Sequence, residues 1–125
     1  YNYLKDKGYD EEYCNICITH SYLNNDIICT AGGVPNPQDK PSIAEFVKTH
    51  KYTIEEKLIN LCDLMCPQGG KVFTIDKRLI DIMIRRGAYS NTQYHIKETY
   101  KLKEYFDGLL GYNLYDLFPE IKENL

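Results

Sequence analysis

Long apolar runs are missing from this 125-residue chain. None approaches the roughly 20 residues that a membrane-spanning helix needs, so no membrane partner is expected. Basic blocks are missing too. Fifteen Lys and Arg against 18 Asp and Glu leave a formal net charge of −3. Without a basic face the electrostatic footprint of a duplex-binding protein is lacking, which argues against nucleic acid. No leader of positive, then apolar, then small residues is present, and the expectation is a soluble, cytoplasmic chain. No stretch alternates apolar and polar residues as a half-buried strand does, and no internal repeat or low-complexity tract appears. At this length one compact domain spanning 1–125 is expected.

What is present has the period of helices. Apolar residues recur near every 3.6 positions, and start signals are frequent. Ser42 with Glu45, Thr53 with Glu56, and Ser90 with Gln93 each match the capping box, a hydroxyl three residues ahead of Glu or Gln. Asp10, Thr74 and Asn113 are expected to cap three further elements. The reading is all-α, with helices near 10–22, 42–50, 54–66, 75–86 and 91–110 and a short turn at 114–117 closed by Pro119. Gly87 and Gly111 supply left-handed endings. One long irregular segment, between Leu23 and Pro41, is either a lid or a plain surface connection.

Five cysteines, an odd number, lie within the first 66 residues and read as reduced thiols more than as a disulfide framework. Cys14 with Cys17, and Cys62 with Cys66, have the gaps of a zinc site, but all four fall in helical stretches, where a buried cysteine is an ordinary small hydrophobe. The loop from Pro67 to Lys71 sets a glycine pair beside a lysine, a possible phosphate cradle without P-loop spacing.

Asp63 is the most telling residue. It sits among Leu58, Ile59, Leu61, Leu64 and Met65, and an ionised acid left unpaired in apolar surroundings costs several kcal/mol. Either a metal ion or a basic side chain is therefore expected beside it. His20 shares helical spacing with Tyr13, Ile16 and Cys17, which puts its imidazole on the expected inward face. A histidine and an aspartate on covered helix faces are ordinary metal-site components, and equally ordinary core residues. Downstream, Ile75, Leu79, Ile82 and Met83 form a stripe, with Arg78, Asp81 and Arg85 on a neighbouring face. That face either grips an anion or makes intrahelical ion pairs. His50 and His95 read as structural, His50 at a solvated helix end. Tyr100, Tyr105, Tyr112 and Tyr115 are expected to pack the C-terminal helix, or to cover a face between two copies in a homo-oligomer.

Two segments carry a resemblance. Residues 3–12 followed by Ile16-Cys17-Ile18-Thr19-His20-Ser21, and residues 55–65 followed by Lys77-Arg78-Leu79-Ile80-Asp81-Ile82, resemble bacterial HD-domain proteins, the metal-dependent phosphohydrolase superfamily, over nearly the whole chain. The tail Leu114 to Pro119 shares it. The resemblance implies an HD-domain-like helical bundle that uses one or two divalent ions (Mn, Fe, Ni, Co, Zn or Mg) to activate water against a phosphoester or nucleotide. By position Asp63 matches the final metal ligand. His20 matches a histidine facing the metal or the substrate phosphate, and Lys77 and Arg78 would offset the charge of a small phosphorylated substrate.

The chain also departs from that pattern. The superfamily's defining His-Asp pair occurs nowhere in it: the histidines are followed by Ser21, Lys51 and Ile96. Asp63 and His20 alone do not complete a site that needs three or four protein ligands. The chain opens at Tyr1 in what reads as mid-helix, so the expectation is a partial bundle, the C-terminal portion of an HD-like domain, inactive by itself. The alternative is a degenerate, non-catalytic HD module acting in regulation or protein interaction.

Overall fold

The computed structural model describes residues 1–25, 41–67, 69–87 and 91–125. Among them the regular structure is helical and no strand occurs, so the all-α class holds. Six α-helices are described: α1 Asn2–Asp6, α2 Glu11–Thr19, α3 Pro41–Thr49, α4 Ile54–Met65, α5 Ile75–Arg86 and α6 Thr92–Leu110. Three 3₁₀ turns cover Leu23–Asn25, Leu114–Leu117 and Pro119–Asn124.

The start signals explain several of these boundaries. Thr53 and Glu56 form a full capping box. The Glu56 N–H donates to Thr53 Oγ1 at 3.2 Å, and the Thr53 N–H donates to Glu56 Oε1 at 3.1 Å. Thr74 accepts the Lys77 N–H at 3.2 Å, and Asn113 Oδ1 accepts the Tyr115 N–H at 2.9 Å. Asp10 occupies the cap position of α2 with extended backbone, but its carboxylate makes no capping bond. Ser42 lies inside α3, which begins at Pro41, a first-turn residue whose missing N–H has no helical partner to lose. The turn at 114–117 ends just before Pro119, as expected, and Pro119 itself opens a further 3₁₀ turn to Asn124. Ser90 and most of the segment between Leu23 and Pro41 lie outside the described residues.

The chain gathers into two compact units, Tyr1–Asn60 and Leu61–Leu125. In the first, α2 packs against α1 and α3, over buried Cys14, Leu23, Val47 and Tyr52. Asn24 and Asn25 both take positive φ, a conformation that asparagine tolerates better than other non-glycine residues. It aims the Asn25 amide at the open end of α3, where Nδ2 donates to the carbonyls of Val47 at 2.7 Å and His50 at 2.9 Å.

In the second unit α5 packs on α6, and α6 on the Leu114–Leu117 turn. Ile75, Leu79, Phe106, Leu114 and Ile121 are buried there. Asp107 staples the return of the chain by accepting the Leu114 N–H at 2.7 Å on one oxygen and Lys103 Nζ at 2.7 Å on the other. The Tyr115 hydroxyl accepts the Ile75 N–H at 2.9 Å. Of the C-terminal tyrosines, Tyr100, Tyr105 and Tyr112 are exposed, against the expectation that they pack inward. A tyrosine can cover its neighbours with the ring while its hydroxyl stays wet.

Candidate functional site

Asp63 does not occupy a covered position: it is exposed. The buried side of α4 is marked by Glu56 and Asn60 in its first half and by Leu61, Leu64 and Met65 in its second. Leu58 and Ile59, which made the neighbourhood of Asp63 look apolar in sequence, are themselves exposed. His20 is exposed as well, and so are Tyr13 and Cys17 on the face expected to turn inward. Its Nδ1 lies 3.0 Å from the Cys17 carbonyl and 3.2 Å from that of Ile16, and its Nε2 lies 3.2 Å from Ser21 Oγ. The ring therefore caps the end of α2, where a donor meets otherwise unsatisfied carbonyls.

His20 belongs to the first unit, and Asp63, Lys77 and Arg78 to the second. Lys77 Nζ donates to the Asn124 carbonyl and stands 4.7 Å from the centre of the Phe73 ring. Arg78 donates through Nε to the Leu64 carbonyl at 3.0 Å and through Nη1 to Asp81 Oδ2 at 2.8 Å, while Asp81 Oδ1 accepts Arg85 Nε at 3.1 Å. The arginine face of α5 is thus engaged in ion pairs and in a tie to the end of α4.

Among the described residues no three His, Cys, Asp or Glu side chains gather to hold a metal ion. The described donor set thus supplies fewer ligands than the divalent-ion centre that the resemblance implies would need. The cysteine set fares similarly: Cys14 is fully buried with its thiol 3.6 Å from the Tyr9 carbonyl, and Cys17 is exposed.

The chemistry that the structure does concentrate lies elsewhere. Glu56 is only 2 % exposed, and three donors from three segments converge on its carboxylate. Thr19 Oγ1 of α2 donates to Oε2 at 2.7 Å, His50 Nε2 lies 2.8 Å from Oε1, and the Thr53 N–H completes the set. Burial alone pushes the Glu56 carboxyl upward, but the bonds from Thr19, His50 and Thr53 outweigh it and hold the group below the usual carboxylate range. An ionised carboxylate only accepts, so Nε2 of His50 carries the proton. The imidazole is pinned further by Phe46, stacked on it with ring centres 4.7 Å apart, and by Tyr52 at 5.6 Å. Burial, and next the Glu56 charge, raise the Tyr52 phenol, whose hydroxyl donates to the Tyr22 carbonyl at 2.8 Å.

Neither Glu56 nor His50 stood out in the sequence as a site residue. The available signal was the Thr53/Glu56 capping box, which marks Glu56 as a cap without revealing that it is also buried. No protein-family model, curated protein or solved structure matches the chain.

Proposed function

We propose that residues 1–125 act as a non-catalytic helical module in regulation or protein interaction. The observation that carries this reading is the exposure of Asp63. With that carboxylate in water, the desolvation argument for a divalent ion beside it lapses. The groups that could do chemistry are engaged in holding helices together, Glu56 and His50 between α2, α3 and α4, and Arg78 between α4 and α5. Large apolar side chains meanwhile face outward: Ile80 and Ile84, one turn apart on α5, are 53 % and 79 % exposed. Such pairs are typical anchors for another helix or groove.

The second reading is a metal-dependent phosphohydrolase of the parent protein, with these residues as part of an HD-like bundle. What supports it is the likeness of residues 3–21 and 55–82 to that superfamily, together with the all-helical class. It requires ligands from outside the described residues. One experiment separates the two. The 125-residue chain is incubated with Mn(II) or Zn(II), desalted and assayed for bound metal and for hydrolysis of a generic phosphodiester. The module reading expects neither. One equivalent of retained metal together with turnover, both lost in Asp63→Ala, would overturn it.

A further inference from the structure

The end of α4 carries two thiols on one side. Cys62 and Cys66 are separated by one helical turn, and the Cys66 N–H donates to the Cys62 carbonyl at 3.0 Å, which stacks one residue over the other. Cys62 is half-buried and Cys66 exposed, and both are free. Burial raises the Cys62 thiol, and the neighbouring Cys66 sulfur raises it further. This end of the helix is held from outside. The Phe73 N–H donates to the Met65 carbonyl at 2.8 Å, and Arg78 Nε donates to the Leu64 carbonyl at 3.0 Å. The spacing of the two sulfurs is therefore set by an anchored turn rather than by a fraying one.

That spacing decides what the pair can do. Side chains one turn apart have Cβ atoms about 5–6 Å from each other, whereas a disulfide needs about 3.5–4.5 Å. The helix thus keeps the thiols too far apart to close on each other, yet close enough to share one atom between them. With metal–thiolate bonds of about 2.3 Å, an ion midway joins sulfurs about 4.6 Å apart, within reach of that Cβ separation by rotation about χ1.

The donor count selects the ion. Among the described residues no third His, Cys, Asp or Glu completes a metal-binding group with these two, so a tetrahedral Zn²⁺ site would lack half its ligands. Thiolates suit Cu(I), a d¹⁰ ion that is satisfied by two sulfurs in line. We infer that Cys62 and Cys66 bind one Cu(I) ion as a two-coordinate dithiolate. Each thiol gives its proton to solvent as its sulfur bonds the metal, and nothing is oxidised or reduced. Neither thiol enters the functional reading above, so the two proposals fail separately.

The test is an anaerobic titration of the fully reduced 125-residue chain against Cu(I) held in its violet bicinchoninate complex. The expected result is bleaching that stops at one equivalent per chain, is lost in Cys62→Ser and in Cys66→Ser, and is kept in Cys17→Ser. Alkylation of the unaltered chain by iodoacetamide, read by peptide mass spectrometry, gives a second readout that does not depend on any variant folding. One equivalent of Cu(I) should abolish labelling of Cys66 while the exposed Cys17 stays reactive. Labelling of Cys66 that copper leaves unchanged overturns the inference. So does an absence of bleaching in the unaltered chain, or bleaching that survives both Cys62→Ser and Cys66→Ser.

Discussion

His50 Nε2 lies 2.8 Å from Glu56 Oε1, a histidine just past α3 bound to a nearly fully buried acid in the first turn of α4. Removing one partner of such a pair strands the other in a poorly hydrated place. Glu56→Gln, which keeps the shape but drops the charge, is expected to cost about 1–3 kcal/mol, and Glu56→Ala about 3–5 kcal/mol, by urea unfolding. In a double-mutant cycle with His50→Ala the two residues should be coupled by about 0.5–3 kcal/mol. Strictly additive losses would show that the contact carries no energy of its own.

The same carboxylate fixes a pH dependence. The Glu56 carboxyl is held low in the folded chain, with burial opposing and the Thr19, His50 and Thr53 donors prevailing. Asp107 is held low in the same way, burial opposing and Lys103 and the Leu114 N–H prevailing. An acid with a depressed folded pKa binds protons more readily when unfolded. Its stabilisation is therefore complete above the unfolded carboxylate pKa of about 4 and is lost as pH falls through the lowered folded value. The urea midpoint should decline below about pH 4.5 on account of these two groups, and Glu56→Gln should make the decline shallower. An unchanged slope in that variant would remove Glu56 from the account.

Much of the helical layout was legible, because caps and periodicity are local. Thr53 and Glu56 announce the start of α4, and Thr74 that of α5, from the residue types alone. Which face each helix covers was less legible, because that is decided by partners distant in sequence. In α2 the fully covered residues are Cys14 and Thr19, five apart, so counting threes and fours from Tyr13 picked the wet side. In α4 the covered side shifts between Asn60 and Leu61, and Asp63 falls outside it despite apolar neighbours on both sides in sequence. A buried acid needs compensating partners. In this chain that acid is Glu56, although a first-turn acid is ordinarily a solvated partner of the helix dipole.

An exposed side chain away from caps and networks tolerates substitution within about 0.5 kcal/mol, so Asp63→Ala should leave the urea midpoint almost unchanged. A loss of more than about 2 kcal/mol belongs to the buried and networked mechanisms and would return Asp63 to a covered site.

Two glycines three residues apart at the end of α6 isolate the contribution of the backbone. A Cβ added at Gly108 or at Gly111 would meet nothing within 4 Å, so crowding is not at issue at either. Gly108 is an exposed interior residue of the helix, where glycine carries more unfolded-state entropy than alanine. Gly108→Ala should therefore stabilise by about 0.5–1 kcal/mol. Gly111 ends the helix with φ 76° and ψ 10°, its N–H donating to the Asp107 carbonyl at 2.9 Å. A side chain in that left-handed conformation is strained by about 1–2 kcal/mol, so Gly111→Ala should destabilise by a similar amount. Urea unfolding of the two variants should therefore move the midpoint in opposite directions. A shift of the same sign in both would mean that α6 does not end at Gly111 in solution.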